Sequence, residues 1–336
     1  MERTTRRFDR AAARVLLVAA VVSLPGSGTE RFASAEPNRP STFSIVAADP
    51  ATGEVGVAVA SRFFAVGAVV PYARAGVGAV ATQASANTSY GPGALDLLAL
   101  GASPAEALAI LTRADEGRAQ RQAGVVSATG ESATYSGPDC NAWAGGRSGP
   151  GYAVQGNILT GEPVVAAMEK AFLDSAGKPL AERLYAAIVA GDAAGGDSRG
   201  KQSAVLLVSR AGGGYGGFDD RAIDIRVDDA KEPIVELGRL LDLALVNDLW
   251  NRGWAAFLNG RRGEDLRWQE ATLARAEASH AEVLPEVLYD SAVIRLANGD
   301  RAGAQRALDR ALALNPKLAR QAANDKDLEG LREAKP

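Results

Sequence analysis

The sequence predicts an α+β fold, a sandwich of two sheets with helix layers outside it, followed by a small all-helical region. Three observations carry that prediction. Strand-like and helix-like stretches come grouped, in the order strands, two helices, strands, two helices, strands, which argues for segregated layers rather than an alternating parallel sheet. Most of the strands are short runs of Gly, Ala and Val, the composition of sheets packed on both faces. From about Lys231 the strand pattern vanishes and the composition turns helical.

Each element has a local reason. Thr42 to Ala48 and Val55 to Ser61 read as a hairpin around the turn cluster Asp49-Pro50-Ala51-Thr52-Gly53. AGVGAVATQ (75–83) reads as a third strand whose glycines suit close backbone approach. Ser103-Pro104-Ala105-Glu106 is a capping box with proline at the first helical position, opening a helix through about Arg113. AGVVSA and SATYSG flank a Thr129-Gly130 turn, and Tyr152 to Leu159 adds a further strand. Residues 163–175 and 179–190 carry apolar side chains at helical spacing, including Val164, Met168, Ala171 and Phe172. SAVLLVSR (203–210) reads as a buried strand, and AIDIRVDD alternates strictly, with Ile223, Ile225 and Val227 on one face. The glycine-rich AGGGYGGFDD between them lacks the helix start that a phosphate cradle requires, so it reads as a hairpin loop. In the tail, Gly299-Asp300, Ala304, Leu308, Ala311 and Pro316 fall at the spacing of a tetratricopeptide helix pair. Trp250 to about Pro285 reads as a degenerate copy, with Asn259-Gly260 echoing Asn298-Gly299.

Residues 1–35 stand apart from the fold. Arg3, Arg6, Arg7, Arg10 and Arg14 precede the apolar run Val15 to Leu24, and Ala33-Ser34-Ala35 supplies an A-x-A cleavage pattern. The run is too short to span a bilayer, which takes about 20 residues. This reads as a signal peptide, so the protein is expected to be exported, to a periplasmic or extracellular location. The expected organisation is signal peptide 1–35, linker or propeptide 36–41, main domain 42–229 and helical domain 230–336.

Counts narrow the chemistry. A net charge of −3 over 336 residues argues against a general nucleic-acid surface. One cysteine, Cys140, allows no intrachain disulfide and no Cys-rich metal site. The one histidine, His280, lies in the helical tail, so a histidine-based triad in the main domain would need that distant residue to fold back. The base of a catalytic site in the main domain is therefore expected to be a carboxylate, a lysine or an amine, and no metal or cofactor is expected. A threonine at a mature N-terminus meets this need, because its own α-amino group, with a pKa of about 7.7–8.0, can take the hydroxyl proton. Thr42, first in its strand, has the position for that chemistry.

The stretches TFSIVAADPATGEVGVAVASRFFAVGAVVPYARAGVGAVATQ, YAVQGNIL and GGDSRGKQSAVLLVSR resemble the bacterial family known as domain of unknown function 1028. That family is placed in the N-terminal nucleophile (Ntn) hydrolase superfamily, and the likeness covers about residues 41–229. It implies a four-layer α/β/β/α fold and amide-bond hydrolysis, with no substrate fixed. Carried over, Thr42 matches the threonine opening TFSIVA and becomes the expected nucleophile. Ser44, on the same strand face, is the second candidate or a hydrogen-bond partner. Ser61 and Arg62 would position the amine, or serve only as a strand-end pair. Thr82, Gln83 and Asn87 stand where such folds place oxyanion donors, and Asn157 is a further candidate donor; as strand-end polar residues, all four also fit plain turn formers. Tails similar to this one carry a peptidoglycan-binding label. One departure matters: cleavage after Ala35 would leave Glu36 to Ser41 ahead of Thr42, so a free threonine amine needs a second cut. Two functions follow as expectations. One is an exported amidohydrolase acting on a small amide, peptide or cell-wall fragment. The other is a non-catalytic binding module of the same fold, its tail docking a protein or peptidoglycan. A single clear helix pair also needs a cover, either the main domain or a second subunit in a homo-oligomer.

Overall fold

The structure is a computed structural model and describes residues 42–332. The signal-peptide and linker readings for residues 1–41 lie outside the described residues. The described chain is a mixed α+β fold with two antiparallel sheets and, among the described residues, ten α-helices.

The strands are β1 (Thr42–Asp49), β2 (Glu54–Ser61), β3 (Pro71–Arg74), β4 (Gly78–Ala84), β5 (Arg121–Ser127), β6 (Ser132–Ser136), β7 (Gly145–Gly149), β8 (Tyr152–Asn157), β9 (Ser203–Ser209) and β10 (Arg221–Val227). The helices are α1 (Tyr90–Ala99), α2 (Pro104–Ala114), α3 (Pro163–Asp174), α4 (Leu180–Ala193), α5 (Pro233–Leu258), α6 (Glu264–Ala278), α7 (Leu284–Ala297), α8 (Arg301–Leu314), α9 (Ala319–Asn324) and α10 (Glu329–Arg332). One sheet runs β10-β9-β2-β1-β8-β7 and the other β3-β4-β5-β6.

The hairpin opens because Asp49 organises its turn: its carboxylate accepts from Ala51 N at 3.0 Å and its carbonyl from Gly53 N at 2.9 Å. Gly53 sits at φ +71°, which favours glycine. The α2 capping box forms in both directions. Ser103 Oγ accepts from Glu106 N, and Glu106 Oε2 accepts from Ser103 N at 2.8 Å.

Strand alternation then sorts the side chains. Val46, Ala48, Val55, Val57 and Val59 of the six-stranded sheet meet Ala79, Ala81 and Val126 of the other. Phe43, Ile45 and Ala47 point the opposite way, into a core with Val164, Met168 and Phe172 of α3 and Leu184 and Ile188 of α4. The four-stranded sheet is covered on its outer face by α1 and α2 through Val80, Val125, Tyr90, Ala94 and Leu108. β1 and β2 are buried almost throughout, which explains their small-residue composition.

α5 belongs to two cores. Its first half puts Ile234, Leu237, Leu241 and Leu245 into the core beneath the six-stranded sheet. Its second half joins the helical region, where α5 packs on α6 and α7 on α8. Asn259-Gly260 and Asn298-Gly299 both end the first helix of a pair, with the glycines at φ +65° and +84°.

Candidate active site

The space between the sheets changes character along β1. Toward Asp49 it is apolar, but toward Thr42 the same faces carry Thr42, Ser44, Ser61, Gln83, Gln122, Gln155 and Asn157, all buried. Period-two alternation places them there, on the faces that also hold Val46, Val59, Ala81, Val126 and Ala153. Buried polar groups at this density stabilise only if they satisfy one another.

All but the Gln155 side-chain carbonyl oxygen do so, across both sheets. Thr42 pairs in register with Ser61 on one side and Asn157 on the other. The Thr42 and Ser61 hydroxyls lie 3.2 Å apart. Ser44 Oγ donates to Gln83 Oε1 at 2.5 Å and accepts from Gln155 Nε2 at 2.6 Å. Gln83 Nε2 donates to the Thr42 carbonyl at 3.2 Å and to Gln122 Oε1 at 2.8 Å. Asn157 Nδ2 reaches the same Gln122 oxygen at 2.9 Å, while Gln122 Nε2 donates to Gly156 O and Ser136 Oγ, each at 2.7 Å. Gln155 Oε1 is buried with no hydrogen-bond partner among the described residues and faces Gly124, where any Cβ would collide with it.

The backbone beside this ladder is strained. Ala84 and Ile158, each directly after a ladder residue, hold φ of +63° and +52°. Positive φ at a β-branched residue persists only where its surroundings over-determine it, and such residues cluster at functional sites.

Among the described residues, no lysine, histidine or carboxylate hydrogen-bonds to Thr42; its partners are Ser61 and Gln83. His280 lies in the turn after α6. Cys140 Sγ donates to Arg121 O at 3.3 Å, and burial pushes its thiol pKa up, away from a reactive thiolate. A cavity of about 110 Å³ borders Ser61 on the Phe43 side, lined in part by Asp197 and Lys201.

Residues 42–237 match the family described as "Family of unknown function (DUF1028)". The chain belongs to this family. The crystal structure of protein SPO2555 from Silicibacter pomeroyi, assigned to the same family, is similar at 30% identity and a TM-score of 0.55. That likeness covers 61% of this chain and 89% of the other. No curated protein matches.

In this DUF1028 member, the matched residues contain the whole ladder. Of the residues the sequence singled out, Thr42, Ser44, Ser61, Gln83 and Asn157 come together between the sheets. Thr82 and Asn87 do not join them. Thr82 shares the outward face of β4 with Val80, and its hydroxyl donates to Asn87 O at 3.1 Å. The Asn87 amide donates to Asp115 Oδ2, which also accepts from Tyr90 OH at 3.0 Å and Arg121 Nε at 2.8 Å. The Arg121 guanidinium, helped by Asn87, Gly117 N and Tyr90, holds the Asp115 carboxyl far below the usual range. This cluster fixes the loop into α1. Arg62 is exposed; its backbone N–H donates to Asp197 Oδ2 at 2.7 Å and its guanidinium to Arg199 O at 2.9 Å. Gln122 and Gln155 are the ladder residues that sequence reading missed. Their signal is a glutamine two places from a residue that the strand pattern sends between the sheets.

Proposed function

We propose that this chain is an exported Ntn-type amidohydrolase in which Thr42 is the nucleophile and its freed α-amine the base. The observation that carries this reading is a threonine hydroxyl at the first residue of a central strand, held beside the Ser61 hydroxyl and without a described side-chain base. The amine is then the group left to take the proton, which requires a cut between Ser41 and Thr42. Helices outside two facing sheets support the Ntn-like sandwich, and the paired helices with their Asn-Gly stops support the tetratricopeptide-like reading of the tail.

In the reaction, Thr42 Oγ1 attacks the amide carbonyl while the amine takes the hydroxyl proton. The amine then delivers it to the leaving nitrogen as the C–N bond breaks, and water hydrolyses the resulting Thr42 ester, releasing the acid and restoring the hydroxyl. The Gln83 bond to the Thr42 carbonyl fixes the nucleophile's backbone. Asn157, opposite Thr42 in register, is the candidate donor to the developing oxyanion. The proposed substrate is a small amide, a peptide or a cell-wall fragment; the 110 Å³ cavity beside Ser61 opens on the Phe43 face of the sheet, opposite the Thr42 hydroxyl. Full burial of Thr42 in the uncut chain favours the alternative, a binding module that keeps the fold without catalysis.

Intact mass of the exported protein decides between them. A mature chain beginning at Thr42 is expected, with amidase activity lost in Thr42→Ala and partly kept in Thr42→Ser. A fully active protein beginning at Glu36 would rule out the free-amine mechanism.

A further inference from the structure

We propose that the recess between the glycine-rich loop after β9 and the middle of α5 binds the face of a neutral saccharide ring. The proposal goes beyond the Thr42 reading and stands apart from it. In the sheet, Ser203 at the start of β9 pairs with Ser61 and Ser209 at its end pairs with Val55. The recess therefore lies at the far end of the strands, about 20 Å from Thr42 at the usual rise per residue. Its volume is about 520 Å³, within the range of small-molecule sites, and its walls include Gly214, Tyr215, Asn247, Trp250 and Trp254.

The polar groups around it are almost all committed elsewhere, and this defines what the recess can recognise. Trp250 Nε1 and Trp254 Nε1 both donate to Asp290 Oδ2, at 2.7 and 2.6 Å. Their N–H edges are thus turned to that carboxylate, and the indoles offer carbon to a ligand. Asn251 clamps the loop, donating to Gly214 O at 2.6 Å and accepting from Gly216 N at 2.9 Å. Asp248, the one charged residue in the described lining, is neutralised by Arg210 at 2.7 Å and Arg252 at 2.8 Å. A charged ligand finds no unpaired counter-charge here.

What remains is aromatic surface with a neutral polar rim: the Tyr215 ring and hydroxyl, 89% exposed, and the exposed Asn247 amide. Phe218, on the same loop, is 91% exposed and extends the apolar surface. A sugar ring has the matching form, a C–H face for stacking and a hydroxyl edge for the amide and phenol. One carboxylate holding both indoles means that little side-chain freedom is lost on binding.

The test is titration of the full chain with the trisaccharide of N-acetylglucosamine, followed by tryptophan fluorescence and calorimetry, beside N-acetylphenylalanine amide as an apolar side-chain probe. Saturable binding of the trisaccharide is expected, weakened about tenfold by Tyr215→Ala and by Trp254→Phe, the loss of one aromatic contact. Circular dichroism and Tm of the exposed-site variant Tyr215→Ala should match the parent, which separates lost binding from lost fold. Absence of saturable saccharide binding, binding indifferent to Tyr215→Ala, or tighter binding of the phenylalanine amide would each overturn the assignment.

Discussion

Gly124 shows how closely the ladder is specified at the scale of single residues. It faces Gln155 across the gap between the sheets with no room for a methyl group. Gly124→Ala should push Gln155 off Ser44, breaking the 2.6 Å bond that holds the Ser44 hydroxyl, at a cost of about 2 kcal/mol for overpacking plus the lost bond. Denaturant unfolding checks it, and an unchanged midpoint would mean that Gln155 has another rotamer to use. A second residue-scale prediction concerns Asp290. Burial raises its pKa to about 6, against the pull of the two indole donors, and Asp325 and Glu286 add to the rise. The folded state therefore holds this proton more tightly than the unfolded chain does. Its contribution to stability is greatest below about pH 4 and is lost as pH rises through about 6. Taking the parent minus Asp290→Asn isolates the group, and the difference should shift toward the parent by about 2–3 kcal/mol between pH 7 and pH 4. A flat difference would show that Asp290 titrates normally. Strand position and hydroxyl chemistry nominate Thr42, and alternation adds Ser44 on the same face, whereas Gln83 and Asn157 were legible only through the family resemblance. Alternation sends Thr82 to the face opposite Gln83, a distinction that a strand assignment leaves open until the register is known.

Elements were legible where their signals are local. The Asp49 to Gly53 turn and the Ser103–Glu106 box hold their hairpin and helix through bonds made within a few residues. β3, α1 and β7 went unread for physical reasons. β7, GGRSG, has no apolar residue and is a strand only because it pairs with β8. α1 begins Tyr-Gly-Pro-Gly and has no side-chain cap, so packing of Tyr90, Ala94 and Leu95 decides it. The seam between elements was also invisible in sequence. Arg210, at the end of β9, donates to Glu54 of β2 at 2.6 Å and Asp248 of α5 at 2.7 Å, and Arg252 of α5 reaches both carboxylates. Only 14% of the Arg210 side chain is exposed, and 9% of the Asp248 side chain. Removing one partner from such a network leaves poorly hydrated charge behind, so Arg210→Ala should cost about 3 kcal/mol. Chemical denaturation reads this directly, and a loss below 1 kcal/mol, the range of exposed pairs, would mean that Arg252 alone suffices.

On the scale of the whole molecule, α5 decides whether the sheets and the helical region can be parted. A boundary at Asp229 follows the change in composition, yet the helix that begins at Pro233 sends Ile234, Leu237, Leu241 and Leu245 into the core beneath the six-stranded sheet. At about 1.5–3 kcal/mol for each buried side chain, these four contribute up to about 6–12 kcal/mol. That rivals the net stability of a typical domain, about 5–15 kcal/mol. A fragment of residues 42–229 should therefore expose the faces of α4, β9 and β10 that α5 covers, and aggregate. A fragment ending at Gly260 keeps α5 whole, retains its salt bridges to Arg210, and should stay soluble longer. Size-exclusion chromatography with light scattering on both fragments and the full chain separates the cases. If the shorter fragment runs as a soluble monomer with the thermal stability of the full chain, α5 is a passive spacer. If it is soluble but the full chain is a larger oligomer that the fragment cannot form, the helical region's cover is a second subunit instead. Aggregation of the shorter fragment alone would show that the first half of α5 is part of the sheet domain's own core, with the helical pairs built outward from it.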